Sequence, residues 1–123
     1  MNELLYFMNS IVLVNESVTT DILQKIAASG FGNLVKTVVD VRRKIMAIGG
    51  EMHSDEEQFL IERGSSQDDL WGINIYPDLP REVWIEFDSM INIRPRQNNR
   101  TRSVDDIEIR ERIIDIINFL VKA

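Results

Sequence analysis

Val83-Trp84-Ile85-Glu86-Phe87-Asp88-Ser89-Met90-Ile91-Asn92-Ile93-Arg94 is the stretch on which the fold turns. Its odd positions are Val83, Ile85, Phe87, Ser89, Ile91 and Ile93, all apolar except the serine. Its even positions are Trp84, Glu86, Asp88, Met90, Asn92 and Arg94, most of them polar. A period of two is the signature of a strand whose side chains alternate between faces. The alternation predicts one long strand, bent near Ser89 and stopped by Pro95, with one face on the core and one toward water. A strand this long and this apolar is expected at the centre of the sheet.

Working outward, Pro77-Asp78-Leu79-Pro80 has turn chemistry, and Leu70 to Tyr76 forms a preceding strand with Trp71, Ile73 and Ile75 on one face. Leu34 to Val41 alternates in the same way, and Arg42-Arg43-Lys44 is a hairpin turn into Ile45-Met46-Ala47-Ile48. Ile11-Val12-Leu13-Val14 is a continuous run, the pattern of a strand buried on both faces. Thr19-Thr20-Asp21 offers N-cap oxygens to a helix carrying Ile22, Leu23, Ile26 and Ala27 and stopping at Gly30. Ser54-Asp55-Glu56-Glu57 has the form of a capping box, with Ser54 as cap and Glu57 three residues on. Ser103 is expected to cap a last helix whose stripe is Ile109, Ile113, Ile116, Ile117 and Leu120. Asp106 with Arg110 and Glu108 with Arg112 are i,i+4 pairs on its outer side.

Tight turns favour antiparallel pairing, so the expected fold is α+β, a mainly antiparallel sheet with helices packed on one face. The expected core comprises Ile73, Ile75, Val83, Ile85, Phe87, Ile91, Ile93, Ile113, Ile116 and Leu120. Residues 1–10 are expected to be an N-terminal extension and residues 11–123 a single α+β domain. The apolar Met1–Met8 segment lacks a basic n-region and no small-residue cleavage site follows, so it is not expected to be a secretory signal.

Composition narrows the function classes. A net charge of −6 sets long-range repulsion against nucleic acid and anionic membranes, so neither is an expected partner. No stretch reaches the ~20 apolar residues of a membrane span. The chain has no cysteine, which excludes thiol catalysis, disulfides and cysteine-ligated zinc, and fits a reducing, cytoplasmic location. No phosphate-binding loop, dinucleotide fingerprint or nucleophile elbow is present, and no motif names a cofactor or sets an oligomeric state.

The runs Val38-Val39-Asp40-Val41, Ile45-Met46-Ala47, Gly49-Gly50-Glu51-Met52-His53, Asp69-Leu70-Trp71-Gly72-Ile73-Asn74 and Trp84 through Pro95 resemble a bacterial family of short proteins of unknown function. The resemblance spans roughly Val12 to Val121. It implies a prokaryotic single-domain protein. The family has no assigned activity, so no catalytic residue is carried over.

Two constellations could carry chemistry. Glu86 and Asp88 sit two apart on the expected strand, hence on one face about 7 Å apart. Asn92 and Arg94 continue the line, with Asn74 and Tyr76 beside it and Trp84 as a wall or cover. His53, the one histidine, and Glu51 follow Gly49-Gly50 and could approach. A histidine with carboxylates can act as an oriented general base, so Glu51, His53, Glu86 and Asp88 are the candidate catalytic set of an acid–base or metal-assisted hydrolase. One histidine is too few for a recognised metal motif; no metal is expected, and His53 and Asp88 are the residues one would use.

The second constellation is a loop with Arg94, Arg96, Arg100 and Arg102 and no acid among them. It leads toward the expected N-terminus of the last helix, where free N–H groups favour anions. Guanidinium forks match phosphate and carboxylate. Asn92, Arg94, Arg100, Arg102 and Ser103 are therefore the candidate ligand-binding residues. The expectation is a small binding or interaction domain, with a small anionic ligand or a protein as partner, rather than a self-sufficient enzyme.

Overall fold

The computed structural model describes residues 11–123, so the expected N-terminal extension lies outside the described residues. In chain order the elements are β1 (Val12–Val14), β2 (Val18–Thr19), α1 (Thr20–Ser29), β3 (Val35–Asp40), β4 (Ile45–Ile48), α2 (His53–Glu62), β5 (Leu70–Ile75), β6 (Ile85–Glu86), α3 (Ile107–Leu120) and β7 (Val121–Lys122). Among the described residues five strands form one sheet in the order β1-β4-β3-β5-β6, with every neighbouring pair antiparallel. β2 and β7 make a short parallel pair that ties the end of α3 to the start of α1. The fold is α+β with a mainly antiparallel sheet, as expected.

The sheet is covered on both sides. Val35 and Val39 of β3, Met46 and Ile48 of β4, and Trp71, Ile73 and Ile75 of β5 join Leu23 and Ala27 of α1 and Ile113, Ile117 and Leu120 of α3 in the larger core. The alternate positions Val38, Ile45, Ala47 and Leu70 pack with Leu60 of α2 on the opposite face. The expectation of helices on one face only is corrected: α1 and α3 share one face, and α2 covers the other. β3 has neighbours on both edges and helices on both faces, which makes it the central strand. Asp40 at its end is completely buried because it is fully used. Its Oδ1 accepts from the backbone N–H groups of Arg42 and Arg43, both at 2.9 Å, and its Oδ2 accepts from Ser65 Oγ at 2.6 Å. That bonding builds the hairpin turn, which Lys44 closes with φ 60°.

The stretch from Val83 to Arg94 departs most from expectation. It is neither central nor one strand. Arg81–Val83 and Met90–Asn92 are 3-10 turns, and only Ile85–Glu86 pairs with the sheet, at its edge. Trp84 has helical backbone angles (φ −84°, ψ −14°), which rotates the chain by half a pleat. Its indole is 2% exposed in the larger core while Val83 is 62% exposed, the reverse of the alternation. Ser89 then uses its Oγ to cap the second turn, accepting from Ile91 N–H. Ile85 and Phe87 still pack on the larger core and Ile91 on the smaller, but Ile93 is exposed.

A side chain replaces the missing strand pairing. The Asn92 carboxamide accepts from Gly72 N–H at 2.8 Å and donates to Gly72 C=O at 2.9 Å, as a neighbouring backbone would. Ser89 fills the space beside it so closely that a Cβ at Gly72 would lie 2.6 Å from the serine side chain.

Three further local expectations are corrected. β1 is an edge strand with Val12 and Leu13 partly exposed, not a strand buried on both faces. α2 begins one residue before Ser54, with Met52 as N-cap and no side-chain cap. α3 begins at Ile107, where Asp106 caps by accepting from Glu108 N–H at 2.8 Å. Thr19 caps α1 as expected.

Candidate functional site

The outer edge of β5 and the start of α2 bring three of the four candidate catalytic residues to one corner. Asn74 on β5 donates through Nδ2 to Glu86 Oε1 at 2.9 Å, and Tyr76 OH donates to the same oxygen at 3.0 Å. Asp88 accepts from Arg102 Nε at 2.6 Å. His53, the first residue of α2, is buried, and its Nε2 lies 2.8 Å from the Ile73 carbonyl. A carbonyl can only accept, so Nε2 carries a proton. Burial holds His53 below its ordinary value against that carbonyl, which favours the charged ring; Lys36 lowers it further and Asp88 raises it. Asn74 Oδ1 lies near the ring without a hydrogen bond of normal geometry. Glu51 is exposed in the bend after β4 and, among the described residues, is not part of this network.

The corner is therefore assembled, but its polar groups are occupied. Glu86 holds two donors, Asp88 holds a guanidinium, and His53 is fixed to the backbone. Among the described residues no group of three or more His, Cys, Asp or Glu side chains is placed to hold a metal ion. Trp84, considered as a wall for this face, belongs instead to the larger core.

One acidic residue was missed. Within Asp55-Glu56-Glu57, a run that capping seemed to explain, Glu56 is completely buried. Its Oε2 accepts from Gly50 N–H at 2.9 Å, and its Oε1 has no partner among the described residues. Burial drives its pKa well above the ordinary carboxylate value, with the Gly50 bond opposing. Gly50 is required there, since a Cβ would come within 2.8 Å of Glu56 Cγ.

The arginine loop does not converge on an anion. Arg94 is buried, and it donates through Nη1 to the Gln67 carbonyl at 2.7 Å and through Nη2 to the Leu70 carbonyl. Its guanidinium stacks on Trp71, 4.1 Å from the ring centroid. Asn92 is buried against Gly72, so neither residue faces a ligand. Arg96 pairs with Asp68 at 2.6 Å and Arg102 with Asp88. Arg100 is exposed, with its backbone N–H on Asp105. Ser103 Oγ accepts from Arg110 Nη2 at 2.6 Å and caps nothing. Buried Asn99 ties the loop together, donating through Nδ2 to the carbonyls of Asn92 and Ser103, both at 2.7 Å. The expected site of Asn92, Arg94, Arg100, Arg102 and Ser103 is thus mostly scaffold. Its helix N-terminus is already capped by a carboxylate.

Unpaired positive charge lies elsewhere. An open basin of about 720 Å³ separates the β3–β4 turn from α3. Val41, Ile116 and Phe119 form its floor, and Arg42, Lys44, Arg112 and Asp115 its rim. Arg42 reaches Asp69 at 3.2 Å, whereas Lys44 and Arg112 have no acidic partner among the described residues. The anticipated Glu108–Arg112 pair is not formed. A sequence signal existed: Arg112, Asp115, Ile116 and Phe119 recur at helical spacing on a face adjoining the acid-free Arg42-Arg43-Lys44 turn.

These features define a small α+β protein with a two-sided antiparallel sheet and a cationic basin at one end of its core. A family model described as "Protein of unknown function (DUF5674)" matches residues 12–120, and the chain belongs to that family. Comparison with curated proteins and with solved structures finds no match. Among the described residues no helix is long and apolar enough to cross a membrane.

Proposed function

We propose that the protein is a ligand-binding domain whose ligand is a small anion held in the basin between the β3–β4 turn and α3. The observation that carries this reading is the pair Lys44 and Arg112, two cations without acidic partners, facing one concave space in a chain of net charge −6. A concavity of this volume is in the range of small-molecule sites. The anionic ligand expected from the sequence is retained, and its seat moves from the arginine loop to the basin. Titration calorimetry with inorganic phosphate, at ionic strength held constant with chloride, tests it. Wild type should bind saturably, Lys44→Gln/Arg112→Gln should lose about tenfold or more in affinity, and Arg102→Gln should bind as wild type. Loss with Arg102→Gln and retention in the double variant would return the site to the loop.

A second reading is acid–base hydrolysis by His53 with Glu86 and Asp88, which their adjacency at the β5 edge supports. It has less support because each group is already held by a partner, and because Glu51 stands apart. Turnover of a phosphoester or peptide substrate that disappears in His53→Gln and survives in Lys44→Gln/Arg112→Gln would favour it.

A further inference from the structure

We infer that the basin selects an amphipathic anion, a single acidic head on an apolar alkyl body, over a bare inorganic anion. The inference rests on the basin being the binding site and adds the class of ligand. It stands on the floor rather than the rim. Phe119 is one of three large apolar groups that α3 leaves exposed, with Ile107 and Ile114, and at 67% exposure it is the one that lines the basin. Val41 and Ile116 line the basin beside it but are only 9% and 6% exposed, so Phe119 supplies most of the open apolar surface. A simple oxyanion would use Lys44 and Arg112 and leave this floor wet. An alkyl chain laid across it would remove both its own surface and the Phe119 ring from water.

Charge complementarity fixes the polarity of the ligand. The rim contributes Arg42, Lys44 and Arg112 against Asp115, and Lys122 stands 4.7 Å from the Phe119 ring centroid. With Arg42 held by Asp69, a cationic head would still meet the unpaired Lys44 and Arg112 against the one carboxylate of Asp115. Lys44 and Arg112 are both exposed, so a head group paired with them can stay partly hydrated while the body is covered. That is the division of labour found in small-molecule sites, an apolar lining with few polar anchors.

The test compares acetate, decanoate and decyltrimethylammonium by calorimetry below their aggregation concentrations, with phosphate as reference. Each methylene moved out of water multiplies affinity by about fourfold, so even partial coverage should make decanoate at least about 30-fold tighter than acetate. Decyltrimethylammonium should bind at least about 30-fold more weakly than decanoate. Phe119→Ala, at an exposed position that should not disturb folding, should weaken decanoate about fivefold or more beyond any change it makes in phosphate affinity. Decanoate no tighter than acetate, with phosphate still bound, overturns the amphipathic class and leaves the anion site standing. Failure of phosphate and decanoate alike overturns both. Equal binding of the two decyl compounds overturns the requirement for an acidic head.

Discussion

The arginine loop and the β3–β4 turn start from the same kind of sequence, a short basic run with no acid inside it, and end in opposite states. Residues 94–102 have little regular structure, so their neighbourhood is rich in backbone carbonyls without ladder partners. Arg94 and Asn99 satisfy those carbonyls and are drawn inward by them. The turn at residues 41–44 has its backbone satisfied by Asp40 and by the strands it joins. Arg43 is still taken, by the Arg63 carbonyl and Ser65, but Lys44 is left to solvent. Charge density in a sequence therefore does not locate an anion site. What locates it is whether the local backbone already has its hydrogen bonds.

The largest effect should come from the inward arginine. Arg94→Met removes donors to two carbonyls and a stacked cation, and should destabilise the fold by roughly 3 kcal/mol or more in urea unfolding. A change below about 1 kcal/mol would make Arg94 a surface residue in all but position, and would reopen the loop as a site. Asn92→Asp should follow at about 2–3 kcal/mol, because the new carboxylate meets the carbonyls of Gly72 and Arg102 where the amide donated. If Asn92→Asp unfolds at the same urea concentration as wild type, the side chain is not standing in for a strand.

Two buried titratable groups sharpen the contrast through pH. Glu56 is raised above its ordinary 4.5 by burial, so its contribution to stability is complete below that pH and declines as pH rises toward its folded value. Glu56→Gln should therefore match wild type in acid and exceed it increasingly toward pH 8 in thermal melts. His53 is lowered from 6.5, so its contribution is complete above that pH and declines as pH falls toward its folded value. His53→Gln should remove that acid-side decline while leaving the alkaline limb in place. Stability curves of both variants that run parallel to wild type would show that neither group titrates with folding.

The smallest stability effects should come from the outward cations. Lys44→Gln and Arg112→Gln should each change unfolding free energy by no more than about 0.5 kcal/mol, while phosphate affinity falls. A large destabilisation from either would mean that the basin rim is scaffold, like the loop.

Much of the fold was legible because its signals are local. The Thr19 cap, the alternation in β3 and β5, the turn at Arg42-Arg43-Lys44 and the stripe on α3 each lie within a few residues. Residues 83–94 misled for the same reason. Their alternation is real, but Ser89 makes a competing local bond and Trp84 is pulled into the larger core by groups far away in sequence. The adjacency of His53, Glu86 and Asp88 was partly foreseen, whereas their occupation by Ile73, Tyr76 and Arg102 was not, since periodicity gives a side chain's face but not its partner.

The sequence by itself determined the α+β class, most of the elements, and which residues of β5 and α3 face the larger core. Period and capping are properties of neighbouring residues. Only the tertiary structure decided that α2 covers the second face, that Asn92 and Arg94 serve the backbone, that Glu56 is buried, and that Lys44 meets Arg112 across an apolar floor. Each of those depends on how polar groups distant in the chain compete for one another once water is excluded. That competition is settled by packing and leaves little mark on local sequence.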